Sequence, residues 1–151
     1  MKLFHASLVL SNTFIENSRM KKIIIAVMIM VFATSVFSQT TISFCTYIDA
    51  DGYCAFNNNK FITTPDSTTG KIFMKVGGTS GLGTKLVYKI FTVDKKGIEK
   101  LTMSLDQSIK QDWFFAWMPY IFPTNIKYKV QVFNDADKMI CSKSFELIAG
   151  K

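Results

Sequence analysis

Three sets of residues in this 151-residue chain carry chemistry worth following: the cysteines Cys45, Cys54 and Cys141, ten carboxylates downstream of residue 38, and the aromatic run Trp113–Phe122. A nucleophile needs a base that titrates near neutral pH, and histidine is the only side chain that does so unperturbed. The one histidine is His5 and the one arginine is Arg19. Beyond residue 38 the chain therefore lacks the residues for Ser-His-Asp or Cys-His catalysis, for a His-ligated zinc and for an arginine clamp. Carboxylate pairs remain, but most of these acids stand in turn contexts where Asp serves the backbone. Two-carboxylate glycoside hydrolysis also wants a substrate cleft, for which about 113 residues leave little room. The chain reads as a non-enzyme, without cofactor or metal.

Two stretches imitate ligand sites. Asp49-Ala50-Asp51-Gly52 opens like a calcium loop, yet neither the further oxygen ligands nor a closing Glu stands at the required spacing, and a hairpin turn explains Asp and Gly there. Gly77-Gly78-Thr79-Ser80-Gly81-Leu82-Gly83 is glycine-rich like a phosphate loop. It leads into the β-forming Leu86-Val87-Tyr88-Lys89-Ile90-Phe91 instead of Gly-Lys-Ser/Thr and a helix, which makes it an inter-strand loop.

The cysteines matter only in an oxidising compartment, and the sequence supplies an export signal. Met20-Lys21-Lys22 precedes the apolar run Ile23–Ala33, and Val36 and Ser38 meet the small-residue requirement for cleavage between Ser38 and Gln39. The run is shorter than the ~20 apolar residues that span a membrane. Residues 20–38 are thus expected to be a signal-peptide helix, residues 1–19 an upstream start extension, and the mature protein to be exported, with no membrane attachment after cleavage. Four of 18 basic residues and one of 11 acids precede residue 39, leaving 14 lysines against ten acids. The lysines are spread at strand-like spacings, as on a solvated face, so no nucleic-acid partner is expected.

Export permits disulfides, and three cysteines leave one thiol over. A hairpin of Thr41–Tyr47 against Tyr53–Phe56, with a four-residue loop over Ile48–Asp51, sets Cys45 opposite Cys54. That pairing leaves Cys141 free and inward-facing. The competing arrangement joins Cys141 to one of the other two.

The elements that must position these residues are short runs between dense turn signals: Lys60–Thr63, Lys71–Val76, Leu86–Phe91, Ile98–Leu105, Asp112–Met118, Asn125–Asn134 and Lys138–Leu147. Ile126, Tyr128, Val130 and Val132 alternate with Lys127, Lys129 and Gln131, one face toward a core and one toward water. The fold class is all-β: an N-terminal hairpin over residues 39–57 and an antiparallel sandwich of seven to eight strands over 58–151, with Tyr88, Ile90, Tyr128, Val130 and Val132 in its core.

Phe122-Pro123-Thr124-Asn125-Ile126-Lys127-Tyr128-Lys129-Val130 resembles the immunoglobulin-like and fibronectin type III sandwiches, in which a Pro-containing turn leads to Tyr-x-Val. The spacing from Pro123 is one residue longer than in the fibronectin pattern, and the immunoglobulin Cys…Trp…Cys frame is absent. The resemblance covers about residues 60–148. It implies the fold, with Tyr128 packed back over the corner between the sheets, and no specific activity.

Trp113–Phe122 holds six aromatics in ten residues. On a strand, Trp113, Phe115 and Trp117 share one face and Phe114, Ala116 and Met118 the other. Only one face meets a sandwich core, so the second must be covered by the N-terminal hairpin or a loop, or be a patch that marks a partner. Trp113, Phe115, Trp117 and Tyr120 are the candidate partner surface. The reading is an exported non-catalytic interaction or structural module whose partner is a protein or a glycan. The alternative is a secreted ligand binder: a carbohydrate stacked on coplanar exposed tryptophans, or a protease gripped by loops. For the protease case, Thr68-Thr69-Gly70 resembles a loop of the immunoglobulin-like cysteine-protease inhibitors, whose further loop motifs the chain lacks.

Overall fold

Alternation of apolar and polar side chains builds nearly every long strand. The computed structural model describes residues 40–79 and 81–151. It contains β1 (Thr41–Cys45), β2 (Tyr47–Ile48), β3 (Cys54–Ala55), β4 (Lys60–Pro65), β5 (Thr69–Gly77), β6 (Lys85–Val93), β7 (Glu99–Ser108), β8 (Phe115–Pro123), β9 (Ile126–Asn134) and β10 (Met139–Gly150). A three-stranded sheet runs β1-β5-β8, a five-stranded sheet runs β4-β10-β9-β6-β7, and β2-β3 is a separate ribbon. The inward faces of the two larger sheets contribute to one core cluster, from Ile42, Phe44, Ile72, Met74, Val76, Ala116 and Phe122 on one side to Leu86, Tyr88, Ile90, Tyr128, Val130, Val132, Phe145 and Leu147 on the other. The expected all-β class and core residues are thus observed, in a sandwich-like pairing of eight strands.

Two expectations about pairing are corrected. The sandwich is not wholly antiparallel, because β4 lies parallel to β10, with Leu147 opposite Phe61. The N-terminal hairpin is also smaller than expected: β1 pairs with β5, Phe44 opposite Met74, and so belongs to the sandwich. Only Tyr47–Ile48 and Cys54–Ala55 form the ribbon. The reason is burial. Ile42 and Phe44 are sealed in the core, worth ~1.5 to 3 kcal/mol each, whereas a lone two-stranded ribbon is marginal in water.

The disulfide joins Cys45 to Cys54 with Cα atoms 5.6 Å apart, and Cys141 is free. The pairing is as expected, but the register behind it is not, since Cys54 stands opposite Ile48. The bond instead fastens the ribbon to the sandwich strand β1. Cys141 stands opposite the buried Val132 and packs against the core, and burial pushes its thiol up to about 12.

Where the chain turns from β8 into β9, the Tyr128 hydroxyl donates to the Pro123 carbonyl at 2.9 Å. Its ring lies 4.9 Å from Phe122 and 5.2 Å from Phe145, between the two sheets. Asn125 makes the turn with φ of 61°, a conformation Asn tolerates better than most residues. The expected upstream extension and signal-peptide helix lie outside the described residues.

Candidate functional site

Strand β8 divides its side chains cleanly. Ala116, Met118, Tyr120 and Phe122 face the core, and Phe115, Trp117, Pro119 and Ile121 face outward. Of the four candidate surface residues, Phe115 and Trp117 therefore lie together on the outer face, 41% and 40% exposed. Trp113 precedes the strand in the β7–β8 loop and is 41% exposed. Tyr120 is corrected: it lies on the inner side, its ring 4.8 Å from Phe122, because two residues of even spacing on a strand share a face.

The sequence reading missed the rest of this surface. Strand β5 lays Lys71, Phe73 and Lys75 opposite Ile121, Pro119 and Trp117. The Phe73 and Trp117 rings meet edge-on, centroids 5.9 Å apart at 62°, so this pair does not offer the flat platform that a stacked sugar requires. Lys71 Nζ lies 5.0 Å from the Phe73 centroid. Ile121 is 60% exposed. The alternation of Phe73 with the buried Ile72 and Met74 was the available signal, but which strand lies beside β8 is not encoded locally.

The β2–β3 ribbon folds over one end of this face. Gly52, at φ of 79°, sits against the Phe115 ring so closely that a Cβ there would fall 2.6 Å from Cε2. Lys75 Nζ donates to the Gly52 carbonyl and lies 5.1 Å from the Phe115 centroid. The ribbon thus covers Phe115 in part, leaving it 41% exposed, and leaves Trp117 and Ile121 open. The ribbon itself exposes Tyr47, Tyr53 and Phe56. Its Asp49 is a turn residue: Oδ1 accepts from the Tyr53 N–H at 2.7 Å. Among the described residues, no group of three or more His, Cys, Asp or Glu is placed to hold a metal ion.

The open edge of β8 is guarded. Pro119 and Pro123 remove N–H donors from it. The Gln107 amide on β7 donates to the Trp117 carbonyl at 2.9 Å and accepts from the Tyr88 hydroxyl at 2.8 Å. The edge is thus unsuited to strand addition.

At the end of the sandwich that the ribbon covers, four loops meet. Leu82 N–H donates to Trp113 O at 3.2 Å and Gly78 N–H to Phe114 O at 2.9 Å. Asp135 Oδ2 accepts from the Thr84 N–H and hydroxyl at 3.1 and 2.9 Å, bonds that hold its carboxyl below the usual range. The Gly77–Gly83 loop is the inter-strand connection expected, with its ends pinned to these neighbours.

No protein-family model matches the chain, and no curated protein matches it in sequence.

Proposed function

We propose that the protein is an exported, non-catalytic interaction module of immunoglobulin-like build, which binds a protein partner through the outer face of β1-β5-β8. The observation that carries this is the apolar surface on the outer face, where the exposed Trp117 and Ile121 of β8 lie beside the half-buried Phe73 of β5. Large apolar side chains grouped on a solvent face cost solubility and commonly mark a partner site.

The immunoglobulin-like reading is supported by the strand order. Strands β1-β5-β8 facing β10-β9-β6-β7 match an A-B-E sheet against G-F-C-C′, with β4 in the place of an A′ strand beside G. Tyr128, hydrogen-bonded back to Pro123, supports the tyrosine-corner role that the resemblance implies. Export is supported by the signal-peptide pattern, with which the Cys45–Cys54 bond is compatible.

The test is photo-crosslinking in the source cells from a reactive amino acid at position 117, with position 131 on the opposite sheet as reference. A discrete adduct from 117, absent from 131 and lost when Ile121 becomes Glu, is the expected result. Equal or no crosslinking from the two positions overturns the reading. Intact mass of the secreted protein should begin at Gln39; retention of the Met20 segment would remove the export part.

A further inference from the structure

We infer that the loop end of the sandwich is a docking site for a basic peptide segment of a protein partner, a lysine ammonium seated among Trp113, Phe114 and Phe115 beside Asp112. The inference rests on the reading of the domain as an interaction module and names the partner's chemistry at a second, adjoining place.

Asp112, Trp113, Phe114 and Phe115 line a cavity of about 290 Å³. Its walls are held in place: Trp113 N–H donates to Lys110 O at 3.0 Å, and the carbonyls of Trp113 and Phe114 accept from Leu82 and Gly78. Gly81 lies against the Gln111 carbonyl, and Gly52 against the Phe115 ring. A preformed site spends less of its binding free energy on ordering its own side chains.

An aromatic cavity alone would accept any apolar group; charge decides between occupants. This end carries Asp49 and Asp51 in the ribbon, Asp112 beside the cavity, and Asp135 and Asp137 in the β9–β10 turn, five carboxylates against Lys110, Lys138 and the Lys75 ammonium that β5 brings to the Phe115 ring, while Lys85 is paired with Asp106. This end is thus acidic in a chain whose net charge is positive. The negative faces of aromatic rings attract a cation, and nearby carboxylates strengthen that attraction. The chain already makes such a contact here, since Lys75 spans the Phe115 ring and the Gly52 carbonyl.

Calorimetric titration of the purified protein with a capped hexapeptide of alternating lysine and glycine tests this, with the norleucine-glycine hexapeptide as neutral counterpart. The lysine peptide should bind saturably, at least ~5-fold tighter than the norleucine peptide, and weaken as salt rises. Asp112→Asn and Trp113→Ala should each weaken it by about 3-fold or more, with far-UV spectra unchanged, while Ile121→Ser leaves it intact. No binding, equal binding of the norleucine peptide, or insensitivity to both substitutions overturns the inference, leaving the interaction-module reading to its crosslinking test. Loss of binding in Ile121→Ser alone moves the ligand to the sheet face, which also overturns it.

Discussion

The side-chain amide of Gln107 donates to the main-chain carbonyl of Trp117 at 2.9 Å, joining the edge of the five-stranded sheet to the edge of the three-stranded one. The same amide accepts from the buried Tyr88 hydroxyl. Gln107→Ala strands that hydroxyl, and an unsatisfied buried polar group costs about 1 to 3 kcal/mol. Adding Tyr88→Phe should recover part of the loss, which urea unfolding of the two single variants and the double variant will measure as a coupling.

At the opposite end of β8, Tyr128→Phe removes one hydrogen bond and leaves the ring packing in place. The expected loss is about 0.5 to 1.5 kcal/mol. An equilibrium unfolding curve with an unchanged midpoint would show that the bond to Pro123 contributes nothing to stability.

Gly52 is positioned by both its φ and its contact with Phe115. Gly52→Ala should lift the ribbon from the sheet, loosening the Lys75 contact and uncovering Phe115. Faster amide exchange across Tyr47–Ala55, with exchange in β9 unchanged, is the expected signature, and uniform protection would count against it.

Alkaline pH should unfold the protein through its buried protons. The Cys141 thiol is raised from 9.0 to about 12 and the Tyr128 hydroxyl from 10.0 to about 12, in each case chiefly by burial. The unfolded chain then binds fewer protons than the folded one above pH ~9, so stability is fully present below that pH and falls as the pH rises toward 12. Thermal midpoints should be level from neutral pH to ~9 and then drop, with a shallower drop in Cys141→Ala. Thiol labelling at pH 8 should be slow in the native state and fast in urea.

Strand character and the core side of the long strands were legible in the residues alone, because each depends on local quantities, and the nearness of Cys45 to Cys54 along the chain favoured their pairing without excluding one to Cys141. A period of two sets which side chains meet a core, turn residues set where strands end, and nine residues of separation keep two cysteines near each other. Tyr88, Val130 and Val132 were legible in this way. Pairing between distant segments was settled by the folded chain as a whole. Strand β1 reached past its neighbour to β5, which moved the disulfide from within a hairpin to a clasp between hairpin and sandwich. The aromatic run was visible as composition, but a one-residue step along a strand exchanges faces, so Tyr120 went inward while Trp117 stayed out. Phe73 joined the surface only because β5 lies beside β8, and the carboxylates that share an end of the sandwich with the Asp112 cavity come from two other connections, the ribbon and the β9–β10 turn. Such placement is settled by which faces can be buried together, a property of the whole chain.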